Sequence, residues 1–168
     1  MARDGLSEAR HSVRALASPL LDNAALPEAP RELAGRWQRQ TGVVAVCRAN
    51  DDVPPLPDEV QAALLRVAQS ALANVAEHAG ASQARLTLSW VQDAVLLDVW
   101  DDGAGFDPAR ALAGCADAPE DRGFGLTGMR QRLSQLAGCL AIESAPGRGS
   151  AISARIPVPV PPAAGARR

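Results

Sequence analysis

The stretch VWDDGAGFDP, Val99 to Pro108, decides how this chain is read. An apolar run ends abruptly in carboxylates, glycines and a proline. Strand alternation places Leu97, Val99 and Asp101 on one face and Asp98, Trp100 and Asp102 on the other. Asp101 therefore continues a buried row and ends it with a charge, which is costly unless a partner meets it. Gly103 and Gly105 let the backbone turn sharply or come close to a ligand. Three readings stand on these residues alone: a metal loop, a hairpin turn, or one wall of a ligand site. The carboxylate spacing does not match a calcium loop of the EF-hand type. A plain turn accounts for the glycines but leaves the inward-facing Asp101 without a reason.

The rest of the composition narrows the class. A chain of 168 residues with 47% hydrophobic and 21% charged residues suits one domain with a sizeable core. With no Tyr, two Phe and three Trp, that core has to be built from Leu, Val and Ala. A net charge of -2, without a basic stripe, predicts no direct contact with nucleic acid. Cys47, Cys115 and Cys139 are scattered and form no C-x-x-C pair, so no zinc site is expected and a reducing, cytoplasmic compartment fits. No apolar run approaches the ~20 residues of a membrane-spanning helix.

Working outward, SEARHSVRALASPLL (7–21) has helical spacing, LDNAALPEAP is a linker, and RELAGRWQRQ after Pro30 is a short helix. GVVAVCRA is a strand and NDDVPPLP a loop. Asp58 is the expected N-cap of a long helix, EVQAALLRVAQSALANVAEHAG, with Val60, Leu64, Val67, Ala71 and Val75 facing the core. ARLTLSW and AVLLDVWD form an antiparallel hairpin around VQD. The segment from Phe106 to Arg122 is irregular. LTGMRQRLSQLAG is helical, with Leu126, Met129, Leu133 and Leu136 inward, and CLAIESAPGRGSAISARIP gives two strands around a PGRG turn. The order predicts an α+β fold, a two-layer α/β sandwich with helices on one face of the sheet.

Two further stretches can share a site with VWDDGAGFDP. Ser70, Asn74 and His78 are spaced i, i+4, i+8 and line one helix face. Asn74 sits in an Ala-rich window; it is either a solvent-facing residue or a buried carboxamide, whose oxygen suits a hard cation such as Mg²⁺. In DRGFGLTGMRQR, Gly123, Gly125 and Gly128 lead into a helix start, an arrangement that presents N–H groups to an anion. It lacks the preceding strand of a Rossmann fingerprint and the lysine of a Walker loop.

Taken in this order the three stretches resemble the catalytic, ATP-binding domain of a two-component sensor histidine kinase, from about Leu26 to Pro157. The resemblance implies the Bergerat fold, with a mixed, mostly antiparallel sheet. RVAQSALANVAEHAGA is similar to the family's N box, with Asn74 in the place of the Mg²⁺-binding asparagine and His78 beside the nucleotide, where contact with phosphate and simple packing both remain open. DDGAGF resembles the D-x-G-x-G box, which makes Asp101 the acceptor for the adenine amino group and lets Gly103 and Gly105 pack close to the base. GFGLTGMRQRL resembles the second glycine box, with Gly123, Gly125, Leu126 and Gly128 around the phosphates. Ser150 takes the place of a usual threonine or serine. The implied ligands are ATP and Mg²⁺, and the segment 106–122 becomes the ATP lid.

The style resembles the NarL/DesK-type branch, which implies a response regulator with a helix-turn-helix output domain as partner. Residues 1–25 then read as a remnant of the dimerisation helix and linker, 26–157 as the catalytic domain, and 158–168 as a disordered tail. The parent's own dimerisation domain is the other implied partner, the fragment is expected to be largely monomeric, and membrane attachment of the parent is left open. Ser70 stands where the branch usually has Glu, and Glu77 where Lys or Arg is common. His11 is followed by Ser rather than an acid, so the phosphate-accepting histidine is expected outside the chain. Two alternatives remain: a nucleotide-binding pseudokinase without phosphotransfer, and an anti-sigma-factor-type serine kinase, which the helical remnant before Leu26 disfavours.

Overall fold

The computed structural model describes residues 26, 28–50, 52–113 and 124–159. Helix α1 (Glu28–Thr41) leads to strand β1 (Val44–Ala49) and then to helix α2 (Asp58–Asn74), which runs on into one π-helical turn, Val75–Ala79. Strands β2 (Gln83–Val91) and β3 (Ala94–Asp101) follow, then the short helix α3 (Pro108–Ala113) and helix α4 (Phe124–Ser134). Strands β4 (Cys139–Ser144) and β5 (Ser150–Pro157) complete a single sheet of order β1-β2-β3-β5-β4. β1 lies parallel to β2 and the other three pairings are antiparallel. The expected α+β sandwich with a mixed, mostly antiparallel sheet is what the chain forms.

Alternation sets the layers. Leu86, Val99 and Ile152 stand opposite one another across β2, β3 and β5, as do Leu88, Leu97 and Ala154, and all six are buried. The α2 stripe meets this face: Val60, Leu64, Val67, Ala71 and Val75 are each 6% exposed or less. Met129 and Leu133 of α4 are fully buried, with Leu126 and Leu136 at the margin of the same cluster. Trp37 of α1, 1% exposed, donates its indole N–H to the Leu72 carbonyl at 3.0 Å. That bond ties α1 to the last turn of α2, just before Asn74.

Several local expectations are corrected. Asp58 is not the N-cap of α2: Pro57 holds that position, its carbonyl accepting from Val60 and Gln61, and no side chain caps the helix. Proline's fixed φ lets the helix start immediately after it, and leaves Asp58 in the first turn, where its charge still complements the N–H ends. The segment from Phe106 is not irregular throughout. Asp107 accepts from Ala109 and Arg110 N–H at 2.9 and 3.4 Å, and Pro108 pre-sets the first helical residue of α3. Helix α4 begins at Phe124, so Gly125 and Gly128 lie inside it rather than ahead of it.

At the other end, Val158 is packed, not part of a loose tail: its side chain is 8% exposed and its N–H donates to Asp93 at 2.9 Å. An apolar side chain at the sheet's end gains more by joining the core than by freedom. The remnant expected over 1–25, Gly123, and the lid residues 114–122 lie outside the described residues. No helix among the described residues is long and apolar enough to cross a membrane.

Candidate functional site

Register builds the site. One row across the inner face of the sheet reads Ala84, Asp101, Ser150, Ser144, from β2 through β3 and β5 to β4. The next row inward is Leu86, Val99, Ile152, Ile142. Polar side chains therefore appear on this face where the strands end, at the lip of an apolar floor. A cavity of about 300 Å³ opens over that lip, lined by Asn74, Asp101, Gly105, Gly125 and Ser150, among others. The remaining wall is mainly apolar, including Val75, Val99, Phe106, Leu126 and Ile152.

Asp101 is 1% exposed and is satisfied by short-range partners. Gly103 N–H donates to Oδ1 at 2.8 Å, and the Ser150 hydroxyl donates to Oδ2. A carboxylate has about four lone-pair positions, so acceptor capacity remains toward the cavity. Such a group, at the end of an apolar slot, selects a flat ligand that presents a hydrogen-bond donor.

The loop after Asp101 is held from two sides. Ala104 N–H donates to Ala79 at 2.7 Å, while Gly147 N–H donates to Ala104 at 2.5 Å. Gly105 has φ +64°, and a Cβ there would meet the Ala145 carbonyl oxygen at 2.1 Å. Gly149 has φ +70°, and its Cβ would meet the Asp101 carbonyl at 2.2 Å. Only glycine combines that backbone conformation with such close approach. Asp102, on the opposite face, accepts from Ser82 and Gln83 N–H and from the Ser82 hydroxyl. The Ser82 hydroxyl first, then the Gln83 N–H, hold its carboxyl below the usual carboxylate range.

Asn74 is the last α-helical residue of α2, directly before the π turn. Widening the helix there carries Ala79 to the Gly103–Ala104 backbone; insertions of this kind recur at functional sites. The Asn74 carboxamide lines the cavity and makes no hydrogen bond to a described residue. It faces Gly125, where a Cβ would lie 3.2 Å from Oδ1 and 3.3 Å from Nδ2. Among the described residues no cluster of three His, Cys, Asp or Glu could hold a metal ion. The donor set thus fits Mg²⁺ only as an ion completed by ligand phosphates, with the Asn74 oxygen as a hard protein donor.

The structure brings Asn74, His78, Asp101, Gly105, Gly125, Leu126 and Ser150 to one cavity. Gly103 sits behind Asp101, against Ala79, and Gly128 lies further along α4 with nothing within 4 Å of its Cβ position. Neither these two nor Ser70 is in the lining. Glu77 does not line it either; its carboxylate lies 3.6 Å from His78 Nε2, whose side chain is 71% exposed. Sequence reasoning passed over Trp37, the Asp107-Pro108 helix start and Ser144. The last was findable: Leu140, Ile142, Ser144 is an inward row ending in a polar residue, the same signal that marked Asp101.

Comparison with known proteins bears on the family and the fold. Residues 59–160 match the family described as histidine kinase-, DNA gyrase B-, and HSP90-like ATPase. The signal transduction histidine-protein kinase/phosphatase UhpB of Salmonella typhimurium is 34% identical over 139 residues, 82% of this chain and 25% of that protein. The kinase/phosphatase DegS of Brevibacillus brevis is 28% identical over 158 residues, 94% of this chain and 39% of that one. The chain thus spans about a quarter to two-fifths of the length of these curated relatives. In fold it is similar to the histidine kinase domain of the blue-light activated histidine kinase of Erythrobacter litoralis, with a TM-score of 0.66 at 18% identity, over 91% of this chain and 75% of that one.

Proposed function

The chain belongs to the family of histidine kinase-, DNA gyrase B- and HSP90-like ATPases, and from that premise we propose that it is the ATP-binding kinase domain of a sensor histidine kinase. The observation that carries this reading is the buried Asp101, held at both oxygens at the lip of an apolar cavity that Asn74 also reaches. Asp101 accepts the adenine amino group while Val99 and Ile152 pack against the ring. Ser150 and Gly103 keep the carboxylate oriented. Asn74 holds Mg²⁺, which when bound offsets phosphate charge, and Gly125 lets the helix backbone approach the phosphates. His78 stands at the wall, and Glu77, 3.6 Å from its Nε2, is not among the lining residues.

The acceptor histidine belongs to a dimerisation helix outside this chain. From it the phosphoryl group passes to a response regulator of the helix-turn-helix output class, in keeping with the NarL/DesK-type resemblance. Orientation and charge neutralisation supply most of the catalysis. Calorimetric titration of the chain with ATP in Mg²⁺ tests the reading. Saturable one-site binding is expected, and no heat at millimolar ATP contradicts it.

One observation favours a second reading, a nucleotide-binding module without phosphotransfer. Asp101 is the only carboxylate in the described cavity lining, and the position one turn before Asn74 is Ser70, which cannot act as a base near neutral pH unaided. Phosphorylation of a supplied dimerisation domain by the native chain and by Ser70→Glu separates the two. Activity gained only in the variant supports the second reading.

A further inference from the structure

We propose that Ser144 is a positioning residue for base recognition, acting on Asp101 through the two arms that flank it. Ser144 ends β4 on the inner face, directly opposite Ser150, which in turn stands opposite Asp101. Its hydroxyl oxygen accepts from Phe106 N–H at 2.8 Å, and its proton goes to the Gly149 carbonyl at 2.9 Å. Phe106 closes the loop that begins at Asp101 and lines the cavity. Gly149 is the residue before Ser150, and its Cα abuts the Asp101 carbonyl. One half-buried side chain thus clamps the cavity-lining loop to the turn that presents Ser150.

The other links in this region are the Ser150 and Gly103 bonds to the Asp101 carboxylate and contacts between backbones. Gly147 donates to Ala104, and Gly105 and Gly149 pass close to neighbouring carbonyls. These hold the loops in contact. Ser144 is the residue that reads both loops at once, because serine can accept and donate through one atom. With alanine there, Phe106 N–H and the Gly149 carbonyl lose their partner, and the Ser150 hydroxyl loses its alignment on Oδ2. The consequence falls on the part of the site that discriminates the base, not on the part near Asn74.

This inference rests on Asp101 reading adenine, and the experiment separates the two. Affinities for ATP and for inosine triphosphate, which carries a carbonyl where adenine has its amino group, are measured for the native chain, Ser144→Ala and Ser144→Thr, with thermal melts as a check on folding. ATP affinity is expected to fall about tenfold in Ser144→Ala, the order of one or two lost hydrogen bonds, with inosine triphosphate nearly unchanged. The preference for adenine then shrinks by the same factor, and Ser144→Thr, which keeps the hydroxyl, restores most of it. Equal losses for both nucleotides, or none, overturn the role of Ser144. A native chain that binds both nucleotides equally overturns the adenine reading itself, before any variant is compared.

Discussion

At the Asp101 end of the cavity the polar groups are already held by other parts of the chain, whereas at the Asn74 end the carboxamide lies beside Gly125 without a hydrogen bond to a described residue. The first end is assembled from three strand ends in fixed register and two glycines pressed against carbonyls. The second lies where helices α2 and α4 pack together, with the Asn74 carboxamide facing Gly125. The difference teaches that the end we propose reads the base is fixed by the folded chain, while the end we propose meets Mg²⁺ and phosphates is left without a hydrogen bond to a described residue. Rigid donors and acceptors suit selection, because their ordering cost is met on folding. A lone hard donor suits an ion that arrives already carried by phosphates.

Alanine at a glycine makes the sharpest test of that contrast. Gly149→Ala forces a Cβ into the Asp101 carbonyl at a left-handed position, so stability is expected to drop by about 3 kcal/mol or more, read by urea denaturation. Among the described residues, Gly125→Ala meets the movable Asn74 amide, and helix propensity favours alanine by ~1 kcal/mol, so its stability should stay level or rise. Equal losses at the two sites would erase the distinction drawn between the ends.

Asn74→Ala is next in size. ATP affinity in Mg²⁺ should weaken about tenfold, while affinity in a chelator stays near the native value, since the lost oxygen serves the ion. The melting temperature should hardly move, because no hydrogen bond to a described residue is lost. A matching loss without Mg²⁺ would make Asn74 part of the fixed frame instead.

The smallest effect lies just behind the base end, at Asp102. Its folded carboxyl titrates below the ordinary range because the Ser82 hydroxyl and backbone N–H groups favour the charged form. Stability from this source is present above the unfolded pKa and disappears as pH falls through the folded one. Asp102→Asn should therefore melt slightly lower than the native chain at neutral pH, with the gap closing in acid. A gap that widens in acid would reverse the sign of that linkage.

How much could be read from the sequence follows the same divide. Asp101 and the α2 stripe were legible because period-2 and period-3.6 patterns report burial directly, and the register then placed Ser150 beside Asp101. The π turn was not: over the five residues Val75–Ala79 a widened helix shifts the apolar pattern by too little to see. Helix α4 began at Phe124, earlier than expected, because three glycines in GFGLTG look like a loop until tertiary packing on α2 overrides propensity. Trp37 carried no local signal for its bond to Leu72, which joins residues 35 positions apart.

The measurement that bears most directly on the central claim is ATP titration of Asp101→Asn beside the native chain, with thermal melts of both. The amide opposes its own N–H₂ to the adenine amino group, and replaces a charged acceptor by a neutral one. Affinity is expected to fall about 100-fold or more while the variant stays folded. Unchanged ATP affinity in a folded Asp101→Asn chain would contradict the account, because the buried carboxylate would then be structural and the base would be read elsewhere.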